Sequence, residues 1–280
     1  MNANWIGKSA VSLTIAHDAA KTTGVTSRGV FLTVEQQVLF VSIERWRGPL
    51  TINVKGTLDC ASGDHVRLSP TRLIFPAFEV DLSTAEVWLP IAPTSARSVV
   101  DQRERLRQLA TRTLSRKTPD GFGRLLPYLL DLPEKQALSA SEAALLARLN
   151  QLRDATQCGD FEQATALIEG VLGLGRGLTP SGDDVTIGWL LRLNRWPAER
   201  NWQALNQRVI DLAYQRTTTL SANLIECAAN GEADERLLNV VDGIMLGQPE
   251  LAECAECVLS WGNSSGVDAL IGMALALSRD

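Results

Sequence analysis

The chain has 280 residues, of which 45% are hydrophobic and 21% charged, and 27 basic against 32 acidic residues give a formal net charge of −5. This length and composition predict two globular domains. The chain has no long basic tract, so we expect no nucleic-acid partner. Its apolar stretches are shorter than the roughly 20 residues of a membrane span, and its first residues lack a continuous apolar signal segment. We therefore expect a soluble, cytoplasmic protein with no membrane partner.

From about Gly29 to Pro90, short β-branched and aromatic runs alternate with glycine and proline, which is typical of several short strands. The runs are VFLTV, VLFVSI, LTINV, HVRLS, RLIF, FEVDL and EVWL. After Pro93 the apolar residues follow a helical period. We predict an α+β protein, with a small β barrel or sandwich over residues 1–95 and an all-helical domain over residues 96–280.

An arginine-rich segment opens the helical part, and its apolar residues share one predicted face: Val99, Val100, Leu106, Leu109 and Leu114. The arginines allow an anion-binding face, whereas the interspersed acids favour a solvated face or a subunit contact. We assign this helix no chemistry.

The cysteines and histidines give little support to metal or redox chemistry. Five cysteines, an odd number, do not indicate a disulfide framework. Cys254 and Cys257 form a CxxC pair with no second pair or nearby histidine, so we interpret them as buried helical thiols, with zinc or redox chemistry as the alternative. His17 and His65 lack metal-ligand spacing.

The glycine-rich segment GLGRGLTPSGDD, residues 173–184, is the best candidate for a functional site. We predict a helix that begins here, with Thr179 as N-cap and Pro180 in the first turn. Glycines let the backbone bend around a ligand, and free N–H groups with the helix dipole attract phosphate or carboxylate. The predicted substrate-binding residues in this segment are Gly175, Arg176, Gly177, Thr179, Ser181 and Gly182.

Asp183 and Asp184 leave a second interpretation open, because acids in a first helical turn complement the dipole without any ligand. Capping alone does not explain three alternating glycines. Two carboxylates would also repel an anion, so function requires a metal bridge, a ligand amide or ammonium group, or a proton-transfer role. We predict both as catalytic residues, with no metal ligand assigned and no cofactor required, although Mg²⁺ is possible.

The start of this helix is echoed near the C-terminus, since SGDDVTIG at 181–188 and SGVDALIG at 265–272 both read S-G-x-D-x-x-I-G. In each copy the Asp and the second Gly lie four residues apart on one helix face. We hypothesise that the two helix N-termini converge, with Asp184 and Asp268 facing one cavity and the two glycines, Gly188 and Gly272, at the crossing.

The echo extends the predicted site. Asp268 becomes the third predicted catalytic residue, and Ser264, Ser265 and Gly266 become predicted substrate-binding residues. Thr218, Ser221 and Asn223, from a third polar cluster, are added with a helix junction capped by Thr or Ser as the alternative.

Three motifs together, GLGRGLTPSGDD, RTTTLS at 216–221 and GNSSGVD at 262–268, resemble the family of AllH-type subunits of oxamate carbamoyltransferase. The similarity spans roughly Leu172 to Leu277, and Arg176 stands where relatives often have proline. The resemblance implies a role in allantoin and purine nitrogen catabolism, where a carbamoyl group passes between oxalurate and phosphate to give oxamate and carbamoyl phosphate. It also implies partner subunits, including an FdrA-type protein.

We therefore hypothesise a carbamoyltransferase subunit whose small anionic substrate is phosphate, carbamoyl phosphate or an oxamate-like molecule. N–H groups around residues 175–182 would hold the anion, and preorganised donors suit the oxyanion of a tetrahedral carbamoyl intermediate. A non-catalytic anion-binding or scaffolding subunit is the alternative. A metal-dependent hydrolase using the three predicted catalytic carboxylates ranks third.

Overall fold

The computed structural model describes residues 1–116, 120–133, 135–196 and 200–277. Its internal contacts divide the chain into two compact units, Met1–Ile91 and Ala92–Asp280. The first is a sheet with one helix and the second is helical. The predicted α+β class, with an N-terminal sheet and C-terminal helices, is confirmed.

The first unit contains helix α1 (Lys8–Ala16) and nine strands: β1 (Ala3–Gly7), β2 (Ala19–Thr26), β3 (Gly29–Val34), β4 (Gln37–Ser42), β5 (Thr51–Val54), β6 (His65–Ser69), β7 (Arg72–Ile74), β8 (Glu79–Asp81) and β9 (Glu86–Trp88). The strands form one curled, half-barrel sheet in the order β8-β7-β6-β2-β3-β4-β5-β1-β9. An isolated bridge between Asn2 and Asp81 connects the residue before β1 to β8.

Alternation of side chains explains the core of this sheet. Strands β3 and β4 pair antiparallel with Val30 opposite Val41 and Leu32 opposite Leu39, and all four side chains are fully buried. The seven predicted runs each contain a strand. Strands β1 and β2 and helix α1 were not predicted. Strand β2 (AAKTTGVT) lacks apolar alternation, and pairing with β3 and β6 holds it in the sheet.

The second unit contains ten helices in its described residues: α2 (Val99–Leu114), α3 (Leu126–Leu129), α4 (Ala140–Cys158), α5 (Phe161–Glu169), α6 (Ser181–Asn194), α7 (Gln203–Arg216), α8 (Thr219–Ala229), α9 (Glu235–Leu246), α10 (Leu251–Ser260) and α11 (Ser265–Leu275). A 3-10 turn, Gly123–Leu125, precedes α3. Within the described parts of the chain, no helix has the length and apolar character needed to cross a bilayer.

Helices α6 and α11 form the centre of this unit. Almost every residue of both is buried, and the two helices pack against each other. A helix that is shielded on all sides belongs to the core rather than to an amphipathic surface layer. The polar residues at the starts of α6 and α11 are therefore carried into the interior.

Helix α2 has a narrower apolar face than the sequence predicts. Leu106 and Leu109 are fully buried, but Val99 and Val100 are 41% and 72% exposed. Two of its arginines are occupied by packing contacts, since Arg105 donates to the carbonyl oxygen of Gly243 and Arg107 to that of Asp131.

The CxxC cysteines lie within α10 and are buried. Burial raises the pKa of the Cys254 thiol to about 12 and also raises the pKa of Cys257. Both remain protonated at neutral pH, which fits the interpretation as buried helical thiols.

The crossing predicted between the two copies of the repeat is confirmed. A Cβ on Gly188 would overlap the carbonyl oxygen of Ala269, and one on Gly272 would overlap that of Val185. Val185 and Ala269 occupy the same position in the two copies, so the contacts are reciprocal. The backbones of α6 and α11 therefore touch across an approximate two-fold axis.

The first glycine of each copy makes an equally close contact. A Cβ on Gly182 would overlap the carbonyl oxygen of Val171, just after α5, and a Cβ on Gly266 would overlap that of Val258 in α10. Each repeat thus packs its helix start against the chain segment that precedes it.

Substitution of Gly188 by alanine tests the crossing, because helix propensity and the close backbone contact change the free energy of unfolding in opposite directions. On helix propensity alone, Gly→Ala in a helix interior stabilises by about 0.5–1 kcal/mol. Because the added methyl meets backbone, we expect Gly188→Ala to destabilise the helical unit by about 2 kcal/mol or more. The measurement is denaturant unfolding followed by far-UV circular dichroism. Gly24→Ala, whose Cβ comes no closer than 3.5 Å to a neighbour, is the control, and a stabilised Gly188→Ala protein would contradict the crossing.

Candidate functional site

The glycine-rich segment forms a loop that leads into α6. Gly173, Gly175 and Gly177 have φ values of +75°, +118° and +102°, in the left-handed region that glycine favours. Space is also restricted at two of them, since a Cβ would lie 2.8 Å from the Arg216 carbonyl oxygen at Gly173 and 2.6 Å from the Ser181 nitrogen at Gly175. The alternating glycines are therefore required by the backbone path itself.

Helix α6 begins one residue later than predicted. Pro180, and not Thr179, is the N-cap, and Ser181 is the first helical residue. The N–H groups of Asp183 and Asp184 donate to the Pro180 carbonyl, and that of Gly182 donates to the Leu174 carbonyl at 2.8 Å.

The loop presents backbone donors to solvent. Residues 174–178 are exposed, including Arg176. Among the contacts formed by the described residues, none engages the N–H groups of residues 175–179 or of Ser181. Free N–H groups next to a helix start attract anions.

Asp183 anchors the glycine-rich loop by hydrogen bonds. Its side chain is fully buried, and both oxygens accept hydrogen bonds, Oδ1 from the Gly173 N–H at 2.8 Å and Oδ2 from the Thr217 hydroxyl. The carboxylate thus ties the loop to the junction between α7 and α8, which gives it a positioning role.

The third polar cluster braces the same loop. Thr218 is the N-cap of α8, as the capping interpretation predicts, and its hydroxyl also donates to the Leu178 carbonyl at 2.7 Å. The Ser221 hydroxyl lies 3.4 Å from that carbonyl oxygen. Asn223 instead donates to the hydroxyl of Tyr214 at 3.0 Å, so the structure brings Thr218 and Ser221 to the loop and directs Asn223 towards α7.

Asp184 and Asp268 occupy equivalent places in the two repeats, and both side chains are fully buried. Each carboxyl interacts with the first serine of the opposite helix, Asp184 with Ser265 and Asp268 with Ser181. Thr179 adds a second hydroxyl to Asp184, and Ser264, the N-cap of α11, adds one to Asp268. The two-fold relation of the glycines thus extends to the carboxyls.

The two carboxyls differ in protonation. Burial, together with the charges of Asp268 and Asp183, raises the pKa of Asp184 to about 8, against a smaller lowering by the nearby hydroxyls of Ser265 and Thr179. No donor in the described residues reaches either Asp184 oxygen with normal hydrogen-bond geometry. Asp184 is therefore protonated at neutral pH.

Asp268 is better supplied with donors. Burial raises its pKa to about 6, against the hydroxyls of Ser181 and Ser264 and the N–H of Phe122, which donates to Oδ1 at 2.8 Å. At pH 7 the pair consequently holds one proton, on Asp184, and one negative charge, on Asp268. Such an acid–base pair can donate one proton and accept another.

The segment 120–122, which contacts Asp268, was not predicted as part of the site. Gly121 has a φ of +60°, and a Cβ there would overlap Asp268 Oδ2 and lie 2.7 Å from Ser181 Oγ. The Asp-Gly dipeptide is a turn signal, but nothing local in the sequence connects it to a residue so distant along the chain.

The fold and site define a class of protein: an α+β chain whose helical unit encloses a two-fold related carboxyl pair, next to an exposed glycine loop. Within the described residues, no group of three or more His, Cys, Asp or Glu side chains is placed to hold a metal ion.

Residues 171–277 match the family model described as oxamate carbamoyltransferase subunit AllH. The AllH-type resemblance seen in the motifs is confirmed over these residues, which include α6 and α11. The family's description associates it with a carbamoyltransferase and, as a subunit, with partner chains. No solved structure matches the chain.

The raised pKa of Asp184 predicts how stability depends on pH. The folded protein binds this proton more tightly than the unfolded chain, whose Asp has a pKa near 3.8, so the stabilisation is present below pH 4 and is lost as pH rises towards 8. The loss amounts to about 6 kcal/mol at most. We expect Asp184→Asn, which resembles the neutral acid, to remove most of this slope in unfolding measurements between pH 5 and 8.

Asp211→Asn is the matched control, because Asp211 is exposed on α7 of the same unit. It should leave the pH dependence unchanged. Equal slopes in wild type and Asp184→Asn would show that Asp184 is not a protonated buried acid.

Proposed function

We propose that this chain is a catalytic subunit of an oxamate carbamoyltransferase-like enzyme, which transfers a carbamoyl group between oxalurate and phosphate in allantoin and purine nitrogen catabolism. The observation that carries the proposal is the pair of fully buried carboxyls, Asp184 and Asp268, in the first turns of α6 and α11. The AllH match over residues 171–277 supports the reaction class. We expect the complex to be cytoplasmic and to include an FdrA-type subunit.

Asp184 and Asp268 together suit the two proton transfers that the reaction needs. A phosphate oxygen attacks the carbamoyl carbon of oxalurate, and ionised Asp268 accepts the proton released from that phosphate. The bond from the carbamoyl carbon to the oxamate nitrogen then breaks, and Asp184 donates its proton to the leaving nitrogen. One C–O bond forms and one C–N bond breaks, so the products are carbamoyl phosphate and oxamate, and the pair has exchanged its single proton.

The exposed loop supplies the anion site of this proposal. The free N–H groups of residues 175–179 and the guanidinium of Arg176 are donors for phosphate or for the oxyanion of the tetrahedral intermediate. The neutral form of Asp184 matters here, since it removes one of the charges that would repel an anion.

A second candidate function is a scaffolding or anion-binding subunit without a catalytic role. Complete burial of both Asp184 and Asp268 favours it, because a substrate reaches them only if a covering segment moves. A metal-dependent hydrolase that uses Mg²⁺ has less support, because both oxygens of Asp183 already accept protein hydrogen bonds.

Carbamoyltransferase activity of the reconstituted complex tests the proposal. We expect Asp184→Asn and Asp268→Asn each to lower kcat by about 10²-fold or more, the usual contribution of a positioned acid or base, while Asp211→Asn retains full activity. Size-exclusion chromatography checks that each variant still assembles. Full activity in both variants would reject the catalytic assignment, and lost assembly with intact anion binding would favour the scaffold.

Ligand binding is tested separately by thermal shift with phosphate, carbamoyl phosphate, oxamate and Mg²⁺. A ligand that binds only the folded state raises Tm by mass action. We expect phosphate and carbamoyl phosphate to raise Tm, and we expect Arg176→Ala to reduce the shift. If no anion shifts Tm, the loop is not an anion site.

A further inference from the structure

The donors around Asp184 and Asp268 differ by one backbone N–H. Two hydroxyls act on each carboxyl, those of Ser265 and Thr179 on Asp184 and those of Ser181 and Ser264 on Asp268. A neighbouring acid opposes ionisation on each side as well, Asp183 beside Asp184 and Asp120 beside Asp268, and the charge of Asp268 also raises the pKa of Asp184. The backbone N–H of Phe122, at 2.8 Å from Asp268 Oδ1, has no equivalent at Asp184 in the described residues.

Hydroxyl donors and a backbone N–H donor also differ in their chemistry. A serine or threonine hydroxyl can donate to a carboxylate or accept from a carboxylic acid, so it suits either protonation state. A backbone N–H can only donate, and it therefore stabilises the ionised carboxylate more strongly than the neutral acid. A fixed N–H on one side therefore favours the negative charge on the carboxyl that it contacts.

We propose that the Phe122 N–H, held in place by Gly121, is a positioning group that keeps Asp268 ionised while Asp184 keeps its proton. Gly121 is needed because its φ is +60° and because any side chain there would overlap Asp268. The inference rests on the proposed function only for the catalytic consequence, which is that Asp268 is the base and Asp184 the acid.

One pair of variants isolates the donor. Phe122→Pro removes the N–H, and its φ of −93° lies near the range that proline adopts. Phe122→Ala removes the ring and keeps the N–H. Carboxyl ¹³C shifts of Asp184 and Asp268 are followed from pH 4 to 9 in full-length protein. We expect the pKa of Asp268 to be higher by about one unit or more in Phe122→Pro than in Phe122→Ala, which should resemble wild type.

A second pair covers the case in which the proline variant does not fold. Gly121→Ala introduces the overlap with Asp268, whereas Gly159→Ala has a similar φ of +74° but meets only the flexible end of Arg200. We expect the pKa of Asp268 to rise in Gly121→Ala alone. Equal titration curves within both pairs would overturn the proposal.

The titrations do not depend on the reaction. If the pKa shifts are found but Asp184→Asn and Asp268→Asn complexes are fully active, the positioning inference stands and the catalytic assignment fails. If the complexes lose activity but the titration curves within each pair coincide, the catalytic assignment stands and the positioning inference fails.

Discussion

Close contact between the backbones of α6 and α11 determines most of the site. Glycine at 188 and 272 removes the side chains that would separate the helices, so the carbonyl oxygens of Val185 and Ala269 fill that space. The glycines lie one helical turn beyond the two aspartates on the same helix faces. The contact that sets the crossing therefore also brings the two carboxyls together, and any widening there would open the interior around them.

Burying two carboxyls requires compensation, and the helix starts provide part of it. Each helix N-terminus carries roughly half a positive charge from its unpaired N–H groups. Two such ends oppose only part of the negative charge of Asp183, Asp184 and Asp268, which share these first turns. Burial is the largest cause of the raised pKa values, about 8 at Asp184 and about 6 at Asp268. Protonation of Asp184 thus removes negative charge that the helix ends leave uncompensated.

Local sequence patterns predict the parts of this protein that depend on local rules. The apolar runs between residues 29 and 90 each contain a strand, and the repeated S-G-x-D-x-x-I-G motif places the crossing correctly because one-turn spacing fixes which residues share a helix face. The strands at residues 3–7 and 19–26 depend on partners elsewhere in the sheet. The contact between Phe122 and Asp268 is not predictable from either segment, because it joins residues 146 positions apart.

The neighbouring aspartates Asp183 and Asp184 show why residue type alone does not assign a role. They are adjacent in the chain, but successive helical residues point about 100° apart, so one faces the loop and the other faces α11. The second repeat has Val267 in place of Asp183, and its helix follows α10 after only residues 261–264. The first repeat has the longer segment 170–180, with three glycines at positive φ, and needs an anchor for it. Asp183 provides that anchor through Gly173 and Thr217. The two repeats therefore differ: one is preceded by an exposed loop of free N–H groups, and the other carries the carboxyl that accepts from Phe122.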